Sequence, residues 1–597
     1  MRLLLRFLLL TVLCNSVDVK RGDGHEPVLD EQQAPKTRPL HACALSDFVD
    51  EASRTKHKIT KSHLRSLMQI LKGVGIKTVS WAYYADADGG HLVPRSMQSV
   101  TNTYQHLGNP LAVAVAAAHA EGLDVFGYFK PYEMGVSMVS PAGSKEAQEE
   151  GHFDLIGGKL VWADPFVAQH PQYCIQHRSS AFPEPNRNEP IASVKLFKHN
   201  DQPTRINKNN LQIWVSSNNY QYTRLDVDFD VTQTFEKARK DVHSLSRGVI
   251  TKAGDRMLVL ELSGLCLTEP YFLVTTNLSG NGDFSNASTS MLRAYDKTGR
   301  EVIGCFANGM PIYNASRANF RNWGLMFDTG YGLRMATLDT DNSAGNRGFI
   351  AFARGRAPHL GAPCESEPAV QAYWLKCVKD ILDTGADGVE FRIENHSTHT
   401  DFPYEYGYNQ AVLARFEHPQ NATPAQIAQV RGDAYTEFLV KAKEIIKARG
   451  KKMRLNFEVD SLRERIPANR LLAYPANMDV QWKRWIELNL PDEAVIRHYG
   501  FNFDQIMKDA RTAEIVALLH KKRIPVFFNR YMRSHEKHRF LNDIDTIRSR
   551  PEYTGYVFYE VYSYVNYNAD GTCTFKYPEI TKAIRHAAQS DPTHKSH

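Results

Sequence analysis

Charged side chains alternate with apolar ones in two short segments of this 597-residue chain. Glu390, Arg392 and Glu394 alternate with apolar residues, and Arg454 and Glu458 belong to a second alternation of the same kind. A period of two is typical of β-strands, in which successive side chains point to opposite faces. The charged residues therefore share one face of each predicted strand. Carboxylates brought together in this way can act as a general acid and as a general base or nucleophile.

Glu394 and Glu458 come at the ends of their predicted strands, where solvent and a substrate can reach them. Hydrolysis of a glycosidic bond needs one carboxyl group held protonated and another held ionised across the bond. Arg392, on the same face as Glu394, is expected to keep that carboxylate charged and suited to be the nucleophile or base. Glu458 is then the general acid, and Glu560 is a second candidate for either role. These three glutamates are the predicted catalytic residues.

The same charges have a structural alternative. Charge inside a protein is costly unless it is paired or used, so Arg392 and Arg454 could simply neutralise Glu390 and one further acid. We expect this arrangement for the deeper pair, Glu390 with Arg392. It fits Glu394 and Glu458 less well, because both fall at strand ends.

Amphipathic helices alternate with short apolar strands along most of the chain. Asn109 and Pro110 start a helix that ends at Gly122, and an apolar strand follows it. The predicted strands are 77–84, 123–129, 348–355, 386–394, 451–460, 478–482, 523–530 and 555–562. Eight strands alternating with helices predict an α/β fold, the (β/α)8 TIM barrel, whose active sites lie at the C-terminal ends of the strands.

Residues 191–345 interrupt this alternation with strand-like patterns bounded by Asn, Gly and Asp turns. They predict an inserted β-rich, sandwich-like domain, and the alternative is a long decorated loop. The predicted division of the chain is a signal peptide (1–16), a flexible leader (17–57), the first part of the barrel (58–190), the insertion (191–345) and the second part of the barrel (346–590).

The first 16 residues, MRLLLRFLLLTVLCNS, place two arginines within an apolar run that ends in small or polar residues. This pattern is typical of a secretory signal peptide, and the alternative is a buried N-terminal strand. No other apolar run is long enough to cross a bilayer. The sequence therefore predicts a secreted or periplasmic protein without a membrane span.

Composition excludes several classes of protein. The 72 Lys and Arg residues against 66 Asp and Glu give a net charge of +6, which is too small to indicate a nucleic-acid partner. A hydrophobic fraction of 42% rules out a disordered chain. None of the eight cysteines forms a C-x-x-C pair, and there is no phosphate-binding loop or serine-nucleophile elbow. We expect no cofactor and no metal site.

Polar and aromatic residues near the predicted strand ends could bind a sugar, because aromatic rings stack on pyranose rings and polar groups bind hydroxyls. The predicted substrate-binding residues are Arg392, His396, Asp86, Glu133, Asp460, Trp482, Asn529 and Tyr562. The expected partner is a carbohydrate substrate, and the oligomeric state stays open.

Several of these segments resemble a known family. The run from GFIAFARG to DGVEFRIENHS (348–397), EYGYNQAVLARF (405–416) and 431–460 resemble the glycosyl-hydrolase-like proteins called family-10-like, secreted sugar hydrolases with a TIM barrel. The likeness covers most of 60–175 and 346–590. It implies an exported glycoside hydrolase, a glycosidase of carbohydrate metabolism that degrades a poly- or oligosaccharide.

A second resemblance concerns the catalytic pattern. Arg392 and Glu394, followed by His396, are similar to the Arg-x-Asp…His pattern on strand 4 of the α-amylase clan. In that clan the acid after Arg is the nucleophile, and a Glu on strand 5, here Glu458, is the proton donor. This sequence departs from the clan by having Glu for Asp, and Asn529 rather than a carboxylate on strand 7. The alternative function is a carbohydrate-binding barrel that has lost catalysis.

Overall fold

The structure is a computed structural model, and it describes most of the chain from residue 38 to residue 589. The described residues are 38–83, 98–132, 135–139, 155–156, 160–163, 166, 170–178, 189–216, 222–244, 248–269, 271–279, 292–302, 305–307, 325–328, 347–350, 352–354, 359–393, 404, 406–459, 477–498 and 503–589.

Eight parallel strands form a closed barrel, in which each strand pairs with its neighbours in chain order and the last pairs with the first. The strands are β1 (His41–Ser46), β2 (Thr78–Tyr83), β3 (Asp124–Phe129), β4 (Gly388–Phe391), β5 (Lys452–Glu458), β6 (Glu493–Arg497), β7 (Val526–Tyr531) and β8 (Gly555–Tyr559). The predicted (β/α)8 fold is confirmed.

Helices connect and cover these strands. They are α1 (Phe48–Arg54), α2 (Lys61–Gly73), α3 (Gln98–Leu107), α4 (Pro110–Ala120), α5 (Pro368–Asp383), α6 (Gln410–Leu413), α7 (Pro424–Ala448), α8 (Trp482–Glu487), α9 (Phe503–Lys508), α10 (Ala510–Lys521), α11 (Phe540–Arg548), α12 (Val561–Tyr564) and α13 (Pro578–Ala588). As predicted, Asn109 begins α4, and its side chain accepts a hydrogen bond from the Ala112 amide at 3.0 Å. No helix in the described ranges combines the length and apolar character that a bilayer crossing needs.

Two of the eight predicted strands do not belong to the barrel. The first half of the predicted strand 348–355 belongs to Arg347–Ile350, which pairs antiparallel with Tyr271–Ser279 and not with a barrel strand. Residues 478–481 are irregular, and Trp482 begins α8. The first run is largely apolar and the second alternates apolar with polar residues. Over so few residues, periodicity alone does not separate a barrel strand from another element.

Two barrel strands were missed by the sequence analysis, β1 and β6. β6 begins at Glu493 and ends at Arg497. A segment with charged ends does not look like a buried strand in the sequence, because its charges are neutralised only inside the folded barrel. The flexible leader predicted for 17–57 is wrong from His41 onward, because β1 and then α1 occupy that segment.

The remaining strands lie outside the barrel. A four-stranded sheet has the order Asp230–Lys237, Arg256–Leu267, Ile191–Phe197, Leu292–Tyr295. A five-stranded sheet has the order Arg347–Ile350, Tyr271–Ser279, Leu211–Ser216, Tyr222–Arg224, Leu155–Ile156. Smaller sheets are Val242–Ser244 with Gly248–Thr251, Cys305–Ala307 with Phe352–Arg354, Leu325–Asp328 with Gly135–Val139 and Leu160–Ala163, Cys174–Gln176 with His359–Pro363, and Val565–Tyr567 with Cys573–Phe575.

The β-rich region has an apolar core of its own. Leu258, Leu260 and Phe272 belong to a buried cluster that contains no barrel residue. Two strands of the five-stranded sheet, Leu155–Ile156 and Arg347–Ile350, come from outside 191–345. The predicted boundaries of the insertion, at 191 and 345, stay a prediction.

The faces of β4 and β5 agree with the alternation in the sequence. Their outward residues are buried in the core between barrel and helices: Val389, Phe391, Ile393, Leu455, Phe457 and Val459. A separate cluster fills part of the barrel interior: Cys43, Leu45, Ala82, Tyr128, Val495, Phe527, Val557 and Tyr559. The charged residues of β4 and β5 therefore point into the barrel, as predicted.

Candidate active site

A fully paired charge network lies deep in the barrel around Arg454, whose side chain is inaccessible to solvent. Its Nη1 donates to Glu390 at 3.2 Å, and its Nη2 donates to Glu493 at 2.5 Å. The guanidinium group lies 4.0 Å from the ring centre of Phe126 and 4.7 Å from that of Phe527. A buried guanidinium that is paired with two carboxylates and packed against two rings is a stable interior arrangement.

Two glycines leave the space that these two rings occupy. A Cβ atom on Gly388 would lie 2.3 Å from the Phe126 ring, and one on Gly555 would lie 2.3 Å from the Phe527 ring. Only a residue without a side chain lets each ring lie against the neighbouring strand at these positions. The sequence therefore builds the aromatic surroundings of Arg454 from two strand-initial glycines.

The expected pair of Glu390 with Arg392 does not form. Glu390 instead accepts hydrogen bonds from Arg454 and from Asn456 Nδ2 at 2.9 Å, whereas Arg392 binds Glu458. Residues two apart on one strand are separated by about 6.6 Å along it, farther than neighbours on adjacent strands, which are about 4.8 Å apart. Cross-strand pairing therefore replaces pairing along the strand.

A second layer of charge lies at the C-terminal ends of the strands, which is the catalytic face of TIM barrels. Arg392 Nε donates to Glu458 Oε1 at 2.7 Å, and Arg497 Nε lies 3.5 Å from the same oxygen. The Glu458 side chain is only 4% exposed. Glu458 is thus a buried carboxylate in contact with two guanidinium groups.

A second ion pair lies beyond the ends of β1 and β3. Lys130 Nζ donates to the two carboxylate oxygens of Asp47 at 3.0 and 3.2 Å, and both side chains are nearly buried. Asp47 was missed by the sequence analysis because it falls in the segment taken for a leader. Its position directly after the apolar run of β1 is the signal that could have found it.

Tyrosines surround the upper layer. The Arg497 guanidinium lies 4.3 Å from the ring centre of Tyr559, and Tyr531 packs edge-on against the same ring at 5.1 Å. Tyr531 and Tyr562 are joined by a hydrogen bond between their hydroxyls. Burial, and then the negative charge of Glu560, raise the pKa of Tyr559 far above its ordinary value. Its hydroxyl therefore stays protonated at neutral pH.

Tyr128, which points into the barrel from β3, is fully buried. Burial raises the pKa of its hydroxyl to about 12, although the nearby charges of Arg392, Arg497 and Lys130 act in the opposite direction. At neutral pH this hydroxyl is a hydrogen-bond donor among three cations.

Six of the predicted site residues are described, and five of them lie at the upper end of the barrel. Arg392 and Glu458 form the ion pair, Glu560 is 2% exposed directly after β8, and Tyr562 is half-buried on α12. Asn529 points into the barrel from β7 and is 5% exposed. The others, Asp86, Glu133, Glu394, His396 and Asp460, lie outside the described residues.

Trp482 does not end a strand, contrary to the prediction that made it a sugar-binding residue. It lies in the first turn of α8, and its ring is buried in the core between barrel and helices. In the run before it, Met478 and Val480 alternate with Asp479 and Gln481, so the run has the period of a strand although it is irregular. Arg497 was not predicted at all, although Glu493 and Arg497 lie on one face at the same period of two that revealed β4 and β5.

Within the described ranges, no three His, Cys, Asp or Glu side chains cluster closely enough to hold a metal ion. The described side chains of the upper layer include carboxylates, guanidinium groups and tyrosine hydroxyls. Carboxylates at this face of a barrel can transfer protons or attack a substrate carbon, while the cations can bind negative charge.

Comparison with known proteins adds little beyond the fold. No family model matches the sequence, and no curated protein matches it. Among solved structures, the catalytic domain of a beta-amylase from Paenibacillus polymyxa is 10% identical, covers 93% of this chain and all of its own, and has a TM-score of 0.29. The glycoside hydrolase domain of PelA from Pseudomonas aeruginosa is 11% identical, covers 37% of this chain and 69% of its own, and has a TM-score of 0.21.

A GH18 chitinase from Pseudoalteromonas aurantia is 12% identical, covers 37% of this chain and 70% of its own, and also has a TM-score of 0.21. One fold hosts many unrelated activities, so a likeness at this level carries no argument about substrate or mechanism. The functional conclusion has to come from the residues at the barrel mouth.

Proposed function

We propose that this protein is an exported glycoside hydrolase of the family-10-like group that cleaves a poly- or oligosaccharide with two carboxyl groups. One observation carries the proposal: Glu458 ends β5 at the catalytic face as a buried carboxylate in contact with Arg392 and Arg497. Glu560 follows β8 at the same face. This supports the presence of two carboxyl groups with different surroundings, which glycosidic hydrolysis requires.

The ion pairs change the roles that the sequence suggested. Arg392 was expected to hold Glu394, but its 2.7 Å hydrogen bond goes to Glu458. Guanidinium groups form strong, well-oriented hydrogen bonds with a carboxylate. We therefore propose Glu458, which two of them hold in place, as the nucleophile or base, and Glu560 as the general acid. Glu394 remains the alternative partner for Glu458.

The second candidate function is a carbohydrate-binding barrel without catalysis. It is favoured by the burial of Glu458. A carboxylate shared by two arginines can have the purely structural role of holding the ends of β4, β5 and β6 together. Binding without release of reducing ends would distinguish this function from hydrolysis.

Release of reducing ends from a panel of plant, marine and bacterial glycans tests the proposal. We expect the wild-type protein to cleave at least one glycan. Glu458→Gln keeps the side-chain volume but removes the charge, so turnover should fall by several orders of magnitude while the fold survives. Glu487→Gln, an exposed change on α8, is the matched control and should leave turnover unchanged.

Glu560→Gln should lower turnover by about 10²–10⁴-fold on substrates with poor leaving groups, because only those need a proton on the glycosidic oxygen. An activated aryl glycoside should be affected much less, and azide should restore part of the rate if the enzyme is retaining. Near-normal turnover in both variants would show that these glutamates are structural.

A further inference from the structure

Arg497, at the C-terminal end of β6, has hydrogen-bonding capacity that its described surroundings do not use. Its side chain is 2% exposed, and its Nε and Nη1 atoms are buried without a hydrogen-bond acceptor anywhere in the described part of the chain. The 3.5 Å approach of Nε to Glu458 is a charge contact only. Because Glu458 also binds Arg392, the negative charge nearest Arg497 is shared between two guanidinium groups.

Two further donors without acceptors accompany it. The β6–β7 register, in which Val495 faces Phe527, places Arg497 opposite Asn529, and Asn529 Nδ2 is buried without an acceptor among the described residues. The hydroxyl of Tyr128 is likewise buried without a hydrogen-bond partner in the described part of the chain. All three side chains point into the barrel, and Arg497 is one of the cations that act on Tyr128.

Buried donors without acceptors are rare in folded proteins, because each one loses its hydrogen bonds to water without replacement. Three side chains with such donors, one of them a guanidinium group, are best matched by a ligand group that carries several acceptor atoms and a negative charge. A carboxylate or a sulfate ester meets this description, and a planar guanidinium binds either through paired hydrogen bonds.

We infer that Arg497, together with Tyr128 and Asn529, forms a subsite for an anionic substituent of the glycan. The shared chemistry is an oxyanion, supplied either by the carboxylate of a uronic acid or by a sulfate ester. The inference rests on the proposed glycan substrate and narrows it to acidic glycans. Arg497 is a specificity-determining residue in this assignment.

Matched glycan pairs test the subsite. The probes are oligomers of galacturonate, glucuronate and mannuronate, each with its carboxyl-reduced neutral counterpart, and a sulfated galactan oligomer with its desulfated counterpart. Affinity is measured by calorimetry on the full-length Glu560→Gln protein, and kcat/KM on the wild type. We expect the anionic member of at least one pair to bind at least tenfold more tightly, and that preference to weaken as salt concentration rises.

Three variants assign the preference to residues. Arg497→Gln should abolish the tenfold preference, so that the anionic and the neutral oligomer of a pair bind with equal affinity. Tyr128→Phe removes only the hydroxyl, so it should weaken binding of the anionic oligomer several-fold without lowering the melting temperature. Arg484, on α8, forms an exposed ion pair with Asp433. Arg484→Gln is therefore the matched arginine control and should change neither affinity.

The outcomes separate the two proposals. Equal affinity within every pair, or an equal loss for both members in Arg497→Gln, overturns the subsite, because Arg497 then serves only to hold Glu458. Turnover of a neutral glycan without any anionic preference leaves the hydrolase standing and overturns the subsite. Selective binding of an anionic oligomer without turnover supports the subsite and overturns the hydrolase, and binding of no oligomer overturns both.

Discussion

The charged residues of the deep layer inside this barrel are tolerated because each is matched by a partner on a neighbouring strand. Arg454 has no exposed side-chain surface, yet it is paired with Glu390 and Glu493. Removing one member of such a group leaves an uncompensated buried charge, which typically costs about 3–5 kcal/mol. Lys452 on the same strand reaches Glu493 at 2.9 Å and completes the balance. The deep layer therefore serves the fold, whereas the upper layer carries the residues of the proposed active site.

His41, at the start of β1, makes stability depend on pH. Burial, and then the positive charge of Arg454, lower the pKa of His41 to about 4. Lys77 and Lys452 act in the same direction, and Glu493 opposes them. In the unfolded chain this imidazole titrates near its ordinary value of 6.5, so the unfolded state binds more protons between pH 6.5 and 4. Stability is therefore complete above about pH 6.5 and declines as the pH falls through this window.

The expected loss from His41 alone is up to about 3 kcal/mol in the free energy of unfolding at pH 4. In the wild type His41 Nε2 and Thr78 Oγ1 form a hydrogen bond of 2.8 Å. His41→Gln should keep a hydrogen bond to Thr78 and should remove most of the decline in stability at low pH. Urea unfolding of both proteins at pH 4.5 and 7.5 measures the difference. His418→Gln, on an exposed histidine, is the control, and an equal decline in all three proteins would contradict the assignment.

At the scale of elements, β1 and β6 were hidden from sequence analysis for related reasons. β1 is a run of small residues behind a polar segment, and β6 is bounded by charges. In both cases the surroundings that stabilise the strand come from other parts of the chain. Glu493 becomes acceptable inside only because Arg454 of β5 lies opposite it in the barrel register.

The position of β1 predicts where N-terminal truncation becomes destructive. β1 pairs with both β2 and β8, so its loss opens the barrel and exposes two unpaired strand edges. Deletion of residues 1–37 should leave a protein that unfolds cooperatively, because the described contacts begin at Arg38, which donates to the Pro551 carbonyl at 2.7 Å. Deletion of residues 1–57 should abolish cooperative unfolding.

Circular dichroism and calorimetric melting of the two truncated proteins measure this difference. The shorter deletion serves as the control for the longer one, since both remove the apolar N-terminal run. A cooperative transition in the protein lacking residues 1–57 would mean that the barrel closes without β1.

At the scale of the whole molecule, the described residues form two large apolar cores besides the small cluster inside the barrel. One lies between the barrel and its helices, and the other belongs to the β-rich region around Leu258 and Phe272. Two cores that share no residue can form independently of each other when the segments that connect them belong to neither core. The β-rich region lies between β3 and β4, so it enters the chain at the catalytic face of the barrel.

Excision of 191–345 with a short linker is expected to leave a barrel that still unfolds cooperatively. The barrel keeps all eight strands, while Leu155–Ile156 and Arg347–Ile350 lose the sheet they share with Tyr271–Ser279. If the region helps to hold a polymer, affinity for the polymeric substrate should fall while turnover of a short oligomer persists. Calorimetry and polymer pull-down assays measure these outcomes, and loss of the cooperative transition would show that the region belongs to the barrel core.

The sequence by itself determined the barrel class and the direction in which many side chains point. The alternation of Glu390 and Arg392 with Val389 and Phe391 is a local property of a strand with one polar and one apolar face, and the structure confirms it. Helix starts were equally local, as at Asn109, because a capping side chain acts on amides only a few residues away. Such features need no knowledge of which strands become neighbours.

Only the tertiary structure decided which charges meet. Glu458 lies beside Arg392 and Arg497 because β5 is paired with β4 on one side and β6 on the other, in a register that no local pattern contains. Arg497 is separated from Glu458 by 39 positions, counting from 458 to 497, and comes opposite it only when the barrel closes. Pairing across strands depends on which strands are neighbours and on their register, and both are set by packing of the whole barrel.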